Sequence, residues 1–147
     1  MTAPQSPASA PLDQPLYGAT FGDAIRRFFK KYADFTGRAS RSEFWWWFLF
    51  AVIIIGAVYG ILLQTLGTIG NGGRGLGPFG WVLVVVYIVW DLVILVPSLA
   101  LSWRRLHDAN LAGPMWFLGF IPVVGWIIVL VFYLLPSKPE GARFDRR

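Results

Sequence analysis

The chain contains no cysteine, so disulfides, thiolate metal sites and a cysteine nucleophile are excluded. Charge is scarce: Asp, Glu, Lys and Arg make up 14% of its 147 residues, where soluble domains carry about 25%. The shortfall is concentrated in three apolar stretches of roughly twenty residues, the length that crosses a bilayer. The only histidine is His107. The helical zinc motif H-E-x-x-H, the phosphate loop G-x-x-x-x-G-K-[ST] and the nucleophile elbow G-x-S-x-G are all missing. Neither a metal nor a cofactor is therefore predicted, and no catalytic residue is assigned.

What is present is apolar and basic. Hydrophobic residues make up 56% of the chain and the net charge is +5. Beside apolar spans, such charge points to anionic headgroups rather than to nucleic acid. Residues 1–19 open with a run rich in Pro, Ala and Ser and read as a disordered tail. This run lacks the basic start and apolar centre of a signal peptide. Over residues 20–35, Phe21, Ile25, Phe28, Phe29 and Tyr32 recur at helical spacing, with Arg26, Arg27, Lys30 and Lys31 around them. This pattern predicts a short amphipathic helix lying in the membrane interface, opened by a Thr20–Asp23 capping box.

Ser40 and Glu43 form a second S-x-x-E capping signal. Trp45, Trp46 and Trp47 follow, as in an interfacial aromatic belt. The first span is placed at about 44–66, or ~34 Å of helix. A glycine-dense connector covers 67–78. The second span is placed at about 79–103 and contains Asp91 and Pro97. A third apolar run, 115–135, is interrupted by Gly119, Pro122 and Gly125, and 136–147 form a polar tail. The predicted fold is all-α: an integral membrane domain over 20–135, with three transmembrane helices preceded by the interfacial helix.

With the N-terminus cytoplasmic, three crossings leave eight Lys and Arg residues inside and five outside. If instead 115–135 is a hairpin turning at 121–125, the partition becomes twelve to one, closer to the positive-inside rule. Arms of about ten residues reach only ~15 Å, however, and a turn at membrane depth must satisfy its own backbone. Three crossings with a kink in the last are therefore expected.

Two polar groups stand out. Arg104, Arg105, His107 and Asp108 form the densest cluster. Arg104 or Arg105 can pair with Asp108 one turn on, or with Glu43 at the same boundary. With Arg38 and Arg41 they are candidates for binding lipid headgroups or another anion. Asp91 lies about twelve residues into the second span, with Tyr87 one turn before it and Tyr59 at similar depth on the first. A charge there costs at least about 2.5–3.5 kcal/mol, which makes it either a functional site or a tie between helices. Gly56 and Gly60 are spaced for close helix contact.

The motif Thr36-Gly37-Arg38-Ala39-Ser40-Arg41-Ser42-Glu43-Phe44-Trp45, the Arg104–Asp108 run after Pro97, and the tail Pro139-Glu140-Gly141…Arg143-Phe144-Asp145 occur together. In these the chain resembles the family catalogued as domain of unknown function 805, over about residues 22–145. The resemblance implies a bacterial inner (cytoplasmic) membrane location and this helical layout, and it supplies no activity. Three functions are expected in descending order. The first is a non-enzymatic module that docks on anionic lipid and associates with itself or other membrane proteins. The second is a homo-oligomeric channel or transporter using Asp91, and the third is a membrane enzyme acting on lipid.

Overall fold

The computed structural model describes residues 10–12, 14–70 and 77–145. Residues 1–9 and 13 of the expected tail, the centre of the glycine connector with Arg74, and Arg146 and Arg147 lie outside the described residues. All regular elements among the described residues are helical. Helix α1 spans Phe21–Lys30, α2 spans Arg41–Gly70 and α3 spans Pro78–Asp108. A 3-10 helix, Gly113–Phe120, precedes α4, Val124–Leu134, and a short 3-10 turn, Pro139–Phe144, is the last of the described elements.

Among the described residues, two helices are long and apolar enough to cross a membrane: Arg41–Gln64 within α2 and Gly80–Asp108 within α3. At 1.5 Å per residue, α2 and α3 each extend for about 45 Å. Both run past the expected spans. α2 takes up residues 67–70 of the connector, and α3 carries the 104–108 cluster in its last turns, with Pro97 inside the helix.

The third run departs from the expected single crossing. Ile121, Pro122 and Val123 separate the 3-10 helix from α4, and the two arms pack on each other. Two residue properties account for the break. Gly125 lies so close to the opposite arm that a Cβ there would sit 2.0 Å from the Leu118 carbonyl oxygen. Val123 takes φ 63° and ψ −64°, a γ-turn closed by the Val124 amide donating to the Pro122 carbonyl at 2.7 Å. With 11 residues, α4 is only about 16 Å long, half of a ~30 Å hydrocarbon core.

The chain divides into two compact units. The larger comprises Met1–Trp47 and Val96–Arg147, the smaller Phe48–Leu95. The larger unit has a close-packed interior. Phe28, Ala39, Ala100, Leu106 and Ala109 are at most 1% exposed, and Phe28 stacks on Trp47 with ring centroids 3.4 Å apart. The expected disordered tail is corrected for residues 15–19: Pro15, Leu16 and Ala19 are buried within this unit. In the smaller unit, Ile94 is the only buried residue among those described.

Candidate functional site

The larger unit is organised by buried charge. In α1 the two basic doublets split. Arg27 and Lys31 are one turn apart and both point inward, at 7% and 3% exposure, while Arg26 and Lys30 stay on the surface. Thr20 and Asp23 cap the helix reciprocally, and the Thr20 hydrogen bonds hold the Asp23 carboxyl below its usual range. The Arg27 guanidinium donates from Nε to Glu43, from Nη1 to the Ala10 carbonyl at 3.0 Å, and from Nη2 to the carbonyls of Pro11 and Gln14. One cation thus holds three carbonyls of the preceding strand of chain. Such charge-assisted bonds are stronger than neutral ones, and they tie Ala10, Pro11 and Gln14 to α1.

At the start of α2, the Ser40 amide donates to Glu43 at 2.9 Å and the Glu43 amide to the Ser40 hydroxyl at 3.2 Å. The Ser40 hydroxyl also donates to the Leu16 carbonyl, and the Ala19 amide to the Ser42 hydroxyl at 2.9 Å. Glu43 pairs with Arg27, not with Arg104 or Arg105 as one sequence reading had it.

The end of α3 supplies the centre. Arg105 and Asp108, both with fully buried side chains, pair at 2.7 Å. The remaining Arg105 donors go to the carbonyls of Tyr133, at 3.2 and 3.0 Å, and Leu135. Arg41 donates to the carbonyls of Leu134 and Leu135. Two arginines therefore satisfy the last carbonyls of α4, which have no partner within their own helix. Asp108 also accepts from the Tyr17 hydroxyl at 3.1 Å and from the Ser137 hydroxyl. Burial and the neighbouring Asp108 carboxylate push the Tyr17 phenol above its ordinary pKa. His107 Nδ1 faces the Gly37 carbonyl at 3.0 Å, and the ring stacks on Phe144 at 4.0 Å.

The tail closes over this centre. Arg38 grips Asp145 with Nε at 3.0 Å and Nη2 at 2.7 Å, and that pairing raises the Arg38 pKa. The Gly37 amide donates to the Phe144 carbonyl at 2.9 Å, and the Lys138 amide to the Asp108 carbonyl at 2.8 Å. Gly141 lies so close that a Cβ there would sit 2.4 Å from the His107 carbonyl oxygen.

Positive charge is left in excess at one point. Arg27, Lys31 and Arg104 are all buried near the buried Glu43. Arg104 donates from Nε to the Ala100 carbonyl at 3.2 Å, while its Nη2 is buried without a partner among the described residues. Desolvation, reinforced by Arg104, lowers the Lys31 ammonium to about 8.

The six expected boundary residues, Arg38, Arg41, Arg104, Arg105, His107 and Asp108, all lie in this unit, but most point inward. Arg104, Arg105 and Asp108 are at most 1% exposed, so no headgroup reaches them. Arg41 is exposed, yet its guanidinium is engaged. His107 bonds to a backbone carbonyl instead of Asp108, so the pair lacks the arrangement of a base and its orienting carboxylate. Asp91, Tyr87 and Tyr59 lie in the smaller unit. There the Tyr87 side chain is hydrogen-bonded to Asp91 and Tyr59, and the two tyrosine rings meet edge to face at 5.8 Å. Sequence reasoning missed the parts played by Tyr17, Arg27, Lys31, Ser137 and Asp145. The one available signal was the i, i+4 spacing of Arg27 and Lys31.

Among curated relatives, the chain is 34% identical to the inner membrane protein YhaH of Escherichia coli (strain K12) over 115 residues, covering 78% of this chain and 87% of that protein. It is also 34% identical to the inner membrane protein YhaI of the same strain over 117 residues, covering 78% and 86%. No solved structure matches the chain. The two motif blocks that meet in the buried centre fall within residues 32–146, which match the model of the family described as a protein of unknown function (DUF805), and the chain belongs to that family.

Proposed function

We propose that the chain is a non-enzymatic, multi-pass protein of the bacterial inner membrane, with its N-terminal side cytoplasmic, whose larger unit docks on anionic headgroups through α1. The names of its relatives and two helices of spanning length support the location. The observation that carries the docking reading is the division of α1. Its inward cations, Arg27 and Lys31, are buried in the interior. Its outer surface combines Arg26 and Lys30 with Phe21, Phe29 and Tyr32, which are 45%, 42% and 38% exposed. Trp46, 41% exposed, meets Phe21 edge to face at 6.0 Å. Exposed aromatics beside exposed cations suit the headgroup layer, where rings bury and each cation contributes about 1 kcal/mol near anionic lipid.

The test is hydrogen exchange over residues 21–30 of the full chain in nanodiscs with and without phosphatidylglycerol. Anionic lipid is expected to protect the segment, and Arg26→Glu with Lys30→Glu to abolish the difference. Equal protection in both lipids would refute the reading.

A second reading, a homo-oligomeric channel or transporter, is favoured by Asp91. This carboxyl is only half-buried on an apolar helix, with Tyr87 as its partner, and an ionisable group so placed is a default candidate for an ion or proton path. Ion or proton flux in proteoliposomes should fall with Asp91→Asn; unchanged flux would remove the reading.

A further inference from the structure

The segment Gly113–Leu135 is a closed helical hairpin with a polar base and an apolar tip. At its base, Arg41 and Arg105 hold the carbonyls of Tyr133, Leu134 and Leu135, and Gly113 and Tyr133 are buried. Gly113 packs so tightly on Trp103 that a Cβ would lie 1.7 Å from the indole nitrogen. At the tip, Phe120, Val123 and Trp126 are each 73% exposed, the highest values among the exposed large hydrophobics. Between these ends there is no charged side chain.

A chain reversal can sit in hydrocarbon only if its backbone polar groups are satisfied, and this one largely meets the condition internally. The Ile121 amide donates to Leu118 at 3.0 Å, Val124 to Pro122 at 2.7 Å, Gly125 to Ile121 at 3.0 Å and Ile127 to Val123 at 3.4 Å. Pro122 has no amide hydrogen to satisfy. The approach of Gly125 to the Leu118 carbonyl lets the arms close without a gap.

The arm lengths set the depth. Eight residues of 3-10 helix at ~2.0 Å each and eleven of α-helix at 1.5 Å each both give about 16 Å. One leaflet of a ~30 Å hydrocarbon core is about 15 Å thick. We infer that Gly113–Leu135 is a one-leaflet wedge, which enters the bilayer from the side of its arginine-held base, turns near the midplane and returns, with the acyl chains of that leaflet as its partner. The polar tail then lies on the same side as α1, and twelve of the thirteen Lys and Arg residues share one face of the membrane, as the positive-inside rule favours. A wedge inserted in a single leaflet enlarges that leaflet alone, so the protein favours membranes whose cytoplasmic leaflet is loosely packed.

The absence of native cysteine makes the test direct. Single variants Phe120→Cys, Val123→Cys, Lys138→Cys and Arg26→Cys of the full chain are labelled in vesicles of neutral lipid, so that the outcome does not depend on headgroup docking. Fluorophores at Phe120 and Val123 are expected within about 5 Å of the bilayer centre by lipid-depth quenching, with arms of this length. A membrane-impermeant maleimide should modify Lys138→Cys and Arg26→Cys from the same side. Two tip positions guard against one variant misfolding. Labels from opposite sides would mean a full crossing, and tip fluorophores at headgroup depth would mean a hairpin lying flat. Either result overturns the inference.

Discussion

The larger and smaller units are built from the same two long helices and follow different rules. In the larger unit, short stretches of α2 and α3 meet a strand of chain, an amphipathic helix, a hairpin and a tail. Alongside its apolar interior, that unit is fixed by buried charges, by carbonyls that accept from arginine, and by glycines at close approaches. In the smaller unit, the same helices present Val52, Ile53, Ile61, Leu63, Val86 and Leu92 at 50% exposure or more. A cleft of about 300 Å³ lies between them, lined by Ile54, Val58, Ile61, Leu83, Val84 and Trp90 among others. The difference follows from the solvent. Lipid tails are as apolar as leucine, so helices in hydrocarbon gain little by burying such side chains. Polar groups near the membrane boundary gain from finding partners, and those taken out of water must find them. Uniqueness of structure is thus concentrated where polar atoms are.

The contrast can be broken most severely at Asp108. Replacing it by alanine strands the buried Arg105 cation, and a loss of about 3–5 kcal/mol is expected, read as a lower denaturant midpoint of the full chain in mixed micelles. Next comes the charge state of Lys31. Its ammonium is lowered to about 8 in the folded chain, against about 10.4 unfolded. Between these values the unfolded state binds more protons, so stability should rise with pH from about 8 to about 10. The expected gain is on the order of 3 kcal/mol when fully developed. Lys31→Met should flatten that slope, and an unchanged slope in the variant would show that another group is titrating. Gly113→Ala forces a methyl group into Trp103 and should cost about 1–3 kcal/mol, with a change in tryptophan emission. Leu63→Ala, at a side chain 66% exposed, should shift the midpoint by less than about 0.5 kcal/mol. A large loss there would mean that the smaller unit has a protein partner on that face.

Legibility follows the same division. Hydropathy marks the two long helices because their signal is summed over more than twenty residues. It does not reveal that 115–135 folds back. Pro122 and the two glycines also fit a kink, and the decisive facts are the Val123 conformation and the closeness of Gly125 to Leu118. The sequence brings Arg38, Arg41, Arg104, Arg105, His107 and Asp108 to one boundary but suggests accessible cations. Arg104 and Arg105 are instead buried on acceptors that no side-chain pattern records, namely the carbonyls of Ala100, Tyr133 and Leu135. Residues 14–19 read as disordered for a related reason. Composition registers few apolar side chains, while Arg27 and Ser40 bind the carbonyls of Gln14 and Leu16.

The bonds that close the larger unit are long in sequence. Tyr17 and Asp108 are 91 residues apart, and Arg38 and Asp145 are 107 apart. A ribosome must therefore pass residue 145 before Arg38 meets its carboxylate, by which time both long helices have left the exit tunnel. Such distant closures are slow relative to local helix formation. Until they are complete, Asp108 lacks its Tyr17 partner and Arg38 its carboxylate. The tail is thus made after both long helices, and assembly of the larger unit becomes a late event by which a quality-control protease distinguishes an assembled molecule from a stalled one.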